Sequence, residues 1–431
     1  MKSAEAEKSK PLYDRAVQIV NKLRSAGYQA YFAGGSVRDQ IRGVPPTDYD
    51  IATSAKPEDV LSLFPQAIPV GVAFGVVLIP VGRLFPGGEK THIEIATFRS
   101  DGVYRDGRHP ESVIFSNEKE DALRRDFTIN GMFFDPSEKR IIDYVGGRED
   151  LKAGLIRTIG DPELRFKEDY LRIIRAVRFA AQFSFRIEPG TYAVIQKMAD
   201  SVRGVSQERI RDELEKILTG ANPAGGLILL EESGILKIIL PEIILGEGAA
   251  RFTPILKCFG SMIRPSFELA MSTLLYQIED SAVVHGICSR LKLSNAQTDR
   301  IISIVRDFPL FQGILKMGEA ELKRFLRVDY LKELLELYHA AKLAFGESLT
   351  GWEFCVQKLE TFRPEDLFPP ALLSGDDLIK MGYSPGPLFK KILYDLEGLQ
   401  LEGKIKTVEE AKARILKEYP EKNENKRKIK I

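Results

Sequence analysis

Two glycines and two acids near the start of this chain constrain it most. Gly34-Gly35-Ser36-Val37-Arg38-Asp39 is followed, nine positions beyond Asp39, by Asp48-Tyr49-Asp50. Residues 29–33 read as a strand running into the glycine pair, and a helix then runs to about Arg42-Gly43. Glycine lets the backbone approach a triphosphate closely, and a helix N-terminus favours negative charge. Ser36 and Asp39 have the spacing of a capping box, with Asp in place of Glu. Arg38 offers phosphate a fork. Residues 48–53 read as a second strand, so Asp48 and Asp50 share a face, roughly 7 Å apart. Such a pair repels itself unless a cation lies between, and oxygen ligands suit Mg²⁺ together with substrate phosphates. Each motif alone is also compatible with a plain strand-turn-helix or a surface acid pair. Their adjacency places a phosphate cradle beside a metal site.

Further along, helical spacing marks residues 12–26 and 56–64, and a hairpin is expected from strands 74–84 and 91–99 around Pro86-Gly87-Gly88. Residues 99–115 read as a loop, 118–125 as a helix, and 128–134 and 140–144 as strands. Beyond Asp161 the pattern is almost wholly helical. The expected fold class is α+β: a mixed-sheet head with helices, followed by an all-α neck, body and tail. The expected boundaries are 1–160, 161–240, 241–363 and 364–431.

Three more segments carry candidate chemistry. His92, Glu94 and Ala96 alternate with Ile93, Ile95 and Thr97, so Glu94 is either a third carboxylate beside Asp48 and Asp50 or an exposed strand glutamate. In Arg124-Arg125-Asp126-Phe127-Thr128-Ile129-Asn130, Arg125 is placed to meet phosphate, Asp126 to hold Arg125 or another arginine, and Asn130 to contact ribose or backbone. A surface salt-bridge cluster fits the same residues. A helix over 166–183 carries Asp169, Arg172, Arg175 and Arg178 at steps of three, and neighbours in such a row touch. Its apolar stripe faces the core. The row is either a salt-bridge ladder or a set of donors and acceptors able to read the edges of C and A.

Bulk properties remove other classes. Cys258, Cys288 and Cys355 are far apart and odd in number, which argues for buried reduced thiols rather than a disulfide framework or structural zinc. The four histidines form neither an HD pair nor HExxH, so a histidine-built hydrolytic metal site is not expected. Net charge is +1, so RNA binding must come from local patches, of which the basic end 422–431 is one candidate. The acidic start lacks a signal-peptide pattern and no run reaches membrane length, so the expected compartment is the cytoplasm. No membrane partner is expected, and no protein partner is readable.

Taken together the motifs resemble the class II CCA-adding enzyme and bacterial poly(A) polymerase family, within the polymerase-β-like nucleotidyltransferases. The glycine and DxD segments resemble its motif A, and residues 124–130 its motif B. Asp143-Tyr144-Val145-Gly146-Gly147-Arg148-Glu149-Asp150-Leu151 resembles the hinge motif C. Glu168-Asp169-Tyr170-Leu171-Arg172 resembles the nucleotide-selecting motif D, and Gln207-Glu208-Arg209 opens a motif E. The resemblance implies Mg²⁺ on Asp48 and Asp50 with Glu94 as third acid, and nucleotide held by Gly35, Arg38 and Arg125. It implies base pairing by Asp169 and Arg172, supported by Arg175 and Arg178. The implied substrates are tRNA, CTP and ATP.

The region 99–115, with Tyr104-Arg105-Asp106-Gly107-Arg108-His109-Pro110, is similar to a flexible loop that CC-only enzymes lack, which argues against CC-only activity. Val70-Gly71-Val72-Ala73-Phe74-Gly75 resembles tRNA nucleotidyltransferases more than poly(A) polymerases. The segments Ser374-Gly375-Asp376-Asp377-Leu378 and Gly382-Tyr383-Ser384-Pro385-Gly386 resemble a tRNA-contacting tail. Gly131 stands where the family usually has Ala, and 240–345 lacks the HD signature, so no phosphohydrolase is expected there. An A-adding enzyme, a poly(A) polymerase and an inactive RNA-binding protein are the competing readings.

Overall fold

The protein is described by a computed structural model covering residues 2–83, 90–102, 112–245 and 248–420. The turn 86–88, the segment 104–110 and the basic end 422–431 lie outside the described residues. The chain divides into two compact units, 1–250 with 290–292, and 251–289 with 293–431.

The first unit starts with α1 (Lys2–Ser25), whose Leu12, Ala16, Ile19, Val20 and Leu23 are buried at helical spacing. Then follow β1 (Ala30–Ala33), α2 (Gly35–Ile41), β2 (Asp50–Thr53), α3 (Pro57–Leu63), β3 (Ile68–Gly71), β4 (Val76–Arg83) and β5 (Lys90–Thr97). The short strands β6 (Arg99–Asp101) and β7 (Val113–Phe115) pair with each other and precede α4 (Glu118–Leu123). The head is completed by β8 (Met132–Asp135), β9 (Arg140–Asp143), α5 (Gly147–Ala153) and β10 (Leu155–Ile156). Seven strands form one sheet in the order β3-β4-β5-β2-β1-β8-β9. The β2–β5 pair is parallel and every other pair antiparallel, so the sheet is mixed as expected.

All four residues of β1 are buried, because both faces of the sheet are covered. Tyr31, Phe98 and Phe133 pack on one face, and Phe32 packs with Tyr49 and Phe134 on the other. Arg24 at the end of α1 donates to the Ala30 carbonyl and to Asp135, fastening the helix to the sheet.

Helices α6 (Pro162–Glu168) and α7 (Leu171–Phe183) follow, then β11 (Arg186–Ile187), which pairs with β10, and α8 (Pro189–Met198), α9 (Gln207–Leu218) and α10 (Pro223–Glu232). The apolar side of α7 packs on α9 and α10.

Several expectations about elements need correction. Residues 128–130 form a 3₁₀ turn, and the strand starts only at Met132, because Thr128 and Asn130 turn their side chains to Asp150, Arg38 and Asp126 instead of extending. The loop expected over 99–115 begins and ends in paired strands. The single helix over 166–183 is two, broken at Asp169, which is extended at φ −152° and ψ 105°.

Every element among the second unit's described residues is a helix. Its three cysteines are free and buried, as expected. No helix among the described residues is long and apolar enough to cross a membrane.

Candidate active site

The sheet register brings the acids together. Asp50, first residue of β2, lies opposite Ala33 of β1 on one side and Glu94 of β5 on the other. Asp48 sits two residues ahead of the strand rather than within it, yet it lines the same cavity as Asp50. All three line a cavity of about 610 Å³ in the first unit, with Gly34 and Gly35 at its edge. Burial, then Glu94, then Asp48 push the Asp50 carboxyl up to about 7, opposed in part by Arg125.

Gly34 has φ 67°, a left-handed conformation that side chains rarely adopt. A Cβ there would stand 3.4 Å from Arg125 Nη1 and 3.8 Å from Asp50 Oδ2, in ordinary contact with both, so the backbone conformation rather than space requires glycine. The expected Ser36–Asp39 capping box does not form. Ser36 Oγ donates to the Ala33 carbonyl, and Asp39 is taken by Arg38.

Opposite the acids stands a wall of arginines, each oriented by a carboxylate or carbonyl. Arg38 lines the cavity but is 7% exposed, donating to Asn130 Oδ1 at 2.7 Å and to both Asp39 oxygens. Its guanidinium lies over Phe183, 4.6 Å from the ring centre. Arg125 donates to Asp121 Oδ2 at 3.2 and 2.9 Å and lies over Phe133. Asp126 holds another arginine, as anticipated: Arg175 donates to its Oδ2 at 3.0 and 2.6 Å, and Asn130 Nδ2 to its Oδ1. Burial resists ionisation of Asp126, but Arg175 and Asn130 outweigh it and hold the carboxyl at about 2.

The break at Asp169 changes how the next pair is built. Asp169 Oδ1 accepts from the Leu171 amide at 3.1 Å, closing a turn just ahead of α7. Arg209 of α9 grips the carboxylate as a fork, at 3.1 Å to Oδ1 and 2.7 Å to Oδ2. Arg172 Nη1 donates to Glu168 and to the Arg165 carbonyl, and its Nη2 makes a long contact to the Arg124 carbonyl. Asp169, Arg172 and Arg175 all line the cavity.

Arg178 does not. It is buried against Glu213 and Gln182, 3.7 Å from the Phe179 ring centre, and burial pulls its pKa down. One helical turn past Arg175 carries it out of the cavity and into the packing between α7 and α9. Arg99 and Arg209 also reach the cavity and were not expected as site residues. Arg99 is placed by strand pairing, which leaves no local pattern, whereas Arg209 lies in the segment that resembles motif E without a site role having been assigned to it.

Among the described residues, no three His, Cys, Asp or Glu groups gather closely enough to hold an ion unaided. Two carboxylates completed by substrate phosphate oxygens is the usual Mg²⁺ arrangement, and the charge crowded around Asp50 fits that cation.

A mixed-sheet head with acids facing an arginine wall defines a nucleotidyltransferase. The Poly A polymerase head domain matches residues 30–157, and the family described as "Probable RNA and SrmB- binding site of polymerase A" matches 184–245. The CCA-adding enzyme of Lactococcus lactis subsp. cremoris is 32% identical over 405 residues, 93% of this chain and 95% of that protein. That of Geobacillus stearothermophilus is 44% identical over 228 residues, 52% of this chain; the match spans about half of that relative's length, 54%. The crystal structure of the Bacillus stearothermophilus CCA-adding enzyme in complex with CTP aligns with TM-score 0.73 and 29% identity, over 94% of this chain and 98% of that one. The chain belongs to the class II CCA-adding enzyme family.

Proposed function

We propose that this chain adds C, C and A to the 3′ end of tRNA from CTP and ATP, releasing pyrophosphate. The observation that carries the reading is the single cavity in which Asp48, Asp50 and Glu94 face Arg125, Asp169 and Arg172. Family membership and the CTP complex of a similar enzyme support it.

In this reading Asp48 and Asp50 would hold two Mg²⁺ with Glu94 beside them. Bound there, the cations supply positive charge to the attacking and leaving oxygens. The arginine wall orients the triphosphate, so that the tRNA 3′-hydroxyl lies in line with the α-phosphate. Alignment and charge stabilisation carry most of such catalysis, and no histidine base is required. Asp169 offers an acceptor and Arg172 a donor to the base edge. C and A both present an amino donor next to a ring-nitrogen acceptor, whereas U and G present the reverse polarity. The helical second unit grips RNA through phosphate and shape, and the working compartment is the cytoplasm.

The test supplies purified protein with tRNA ending at the discriminator base, at C and at CC, with CTP and ATP given separately and together. Completion of all three to CCA is expected. Addition of A to CC ends alone would replace this reading with an A-adding enzyme, and long A tails on unrelated RNA with a poly(A) polymerase. No incorporation with Mg²⁺ would mean an inactive RNA-binding protein.

A further inference from the structure

We infer that Arg209, on α9, is a positioning residue that sets nucleotide choice by fixing the Asp169 carboxylate in one orientation. This inference rests on the proposed base-reading role of Asp169. The break between α6 and α7 leaves Asp169 on extended backbone, without the helical neighbours that normally limit a side chain. Its orientation therefore depends on what grips it, and the grip is the fork from Arg209. A guanidinium fork on a carboxylate fixes direction as well as distance.

The remaining capacity of the carboxylate follows from counting. Each carboxylate oxygen has two acceptor sites. Oδ1 receives Arg209 Nη1 and the Leu171 amide, and Oδ2 receives Arg209 Nη2. One acceptor is left, on Oδ2 of a residue that lines the cavity. A single acceptor in a fixed place selects the amino group of C or A. A carboxylate free to turn could instead follow the ring N–H of U or G, and the discrimination would fade. Arg209 thus acts on selectivity through Asp169.

The experiment measures single-turnover incorporation of CTP, ATP, UTP and GTP by the full chain with tRNA and Mg²⁺. The variants are R209A, R209K, D169A and R209A combined with D169A. R209A is expected to narrow the preference for CTP over UTP by about tenfold, the worth of one good base contact. R209K keeps the charge without the fork and should fall between R209A and the unmodified chain. In the D169A background R209A should change the ratio no further.

If R209A and R209K slow all four nucleotides equally, Arg209 is merely structural and the inference fails. If D169A loses selectivity while R209A keeps it, the inference fails and the reading of Asp169 stands. If D169A itself stays selective, the base-reading role of Asp169 is what falls. Should R209A not fold, R209K alone decides between these outcomes.

Discussion

Asp50 carries its carboxyl into a buried corner where Glu94 and Asp48 already supply negative charge, so its pKa rises to about 7 against the pull of Arg125. Below that pH the folded, metal-free chain keeps a proton that the unfolded chain has lost. Stability therefore falls as pH rises from about 4 to 7, at up to about 1.4 kcal/mol per unit. A cation must displace the same proton. Mg²⁺ binding should weaken toward tenfold per unit as pH drops below 7, with about one proton released on binding. Titration calorimetry in two buffers of different ionisation heat checks this, and D50N should abolish the proton release. Equal release from D50N would move the linkage to another group. At this scale much was legible, because the i, i+2 relation of Asp48 and Asp50 survives whether or not Asp48 is in the strand. The pairing of Asp169 with Arg209 was not legible, although the motif E resemblance marked the segment of Arg209, since the two lie 40 residues apart and meet only through helix packing.

Elements position these groups through close backbone contacts. Asp143 accepts from the amides of Val145, Gly147 and Arg148, holding the turn that starts α5. A Cβ on Gly147 would lie 2.2 Å from the Thr128 carbonyl oxygen, a backbone atom with no side-chain freedom to yield. Gly147→Ala should push α5 away from the 3₁₀ turn that carries Asn130, and with it the amide that joins Arg38 to Asp126. The expected cost is about 1–3 kcal/mol of stability, with lower turnover on CTP and ATP alike. Denaturant midpoints with nucleotide kinetics measure both, and a variant of unchanged midpoint would refute the contact. The order of strands and helices in the head was largely readable from alternation and helical spacing. The break at Asp169 was not, because apolar residues continue in helical register on both sides of it. Only the extended backbone at Asp169 and its turn to the Leu171 amide reveal two helices.

On the scale of the whole chain, the described cavity is lined by the first unit alone. The second has its own cores. In one, Phe311 stacks on Tyr338 with ring centres 3.8 Å apart and meets Phe325 edge-on; in another, Leu378, Ile392 and Ile415 are buried together. The turn at Arg363-Pro364 reads as a boundary in sequence, yet Arg324 and Arg327 on one side both donate to Glu397 on the other. Charge pairs across such a distance are invisible to local pattern. Separate cores imply that the two units melt separately, and ligand linkage tells the transitions apart. CTP with Mg²⁺ at a hundred times its Kd stabilises the unit that binds it by about 2.7 kcal/mol. For a unit of this size that raises its midpoint by about 5–10 °C. Phe311→Ala opens a cavity in the other unit and should lower that unit's transition by about 3–5 kcal/mol. Differential scanning calorimetry of the full chain should show the ligand moving one transition and the substitution the other. A single transition moved by both would mean that the units fold as one cooperative body.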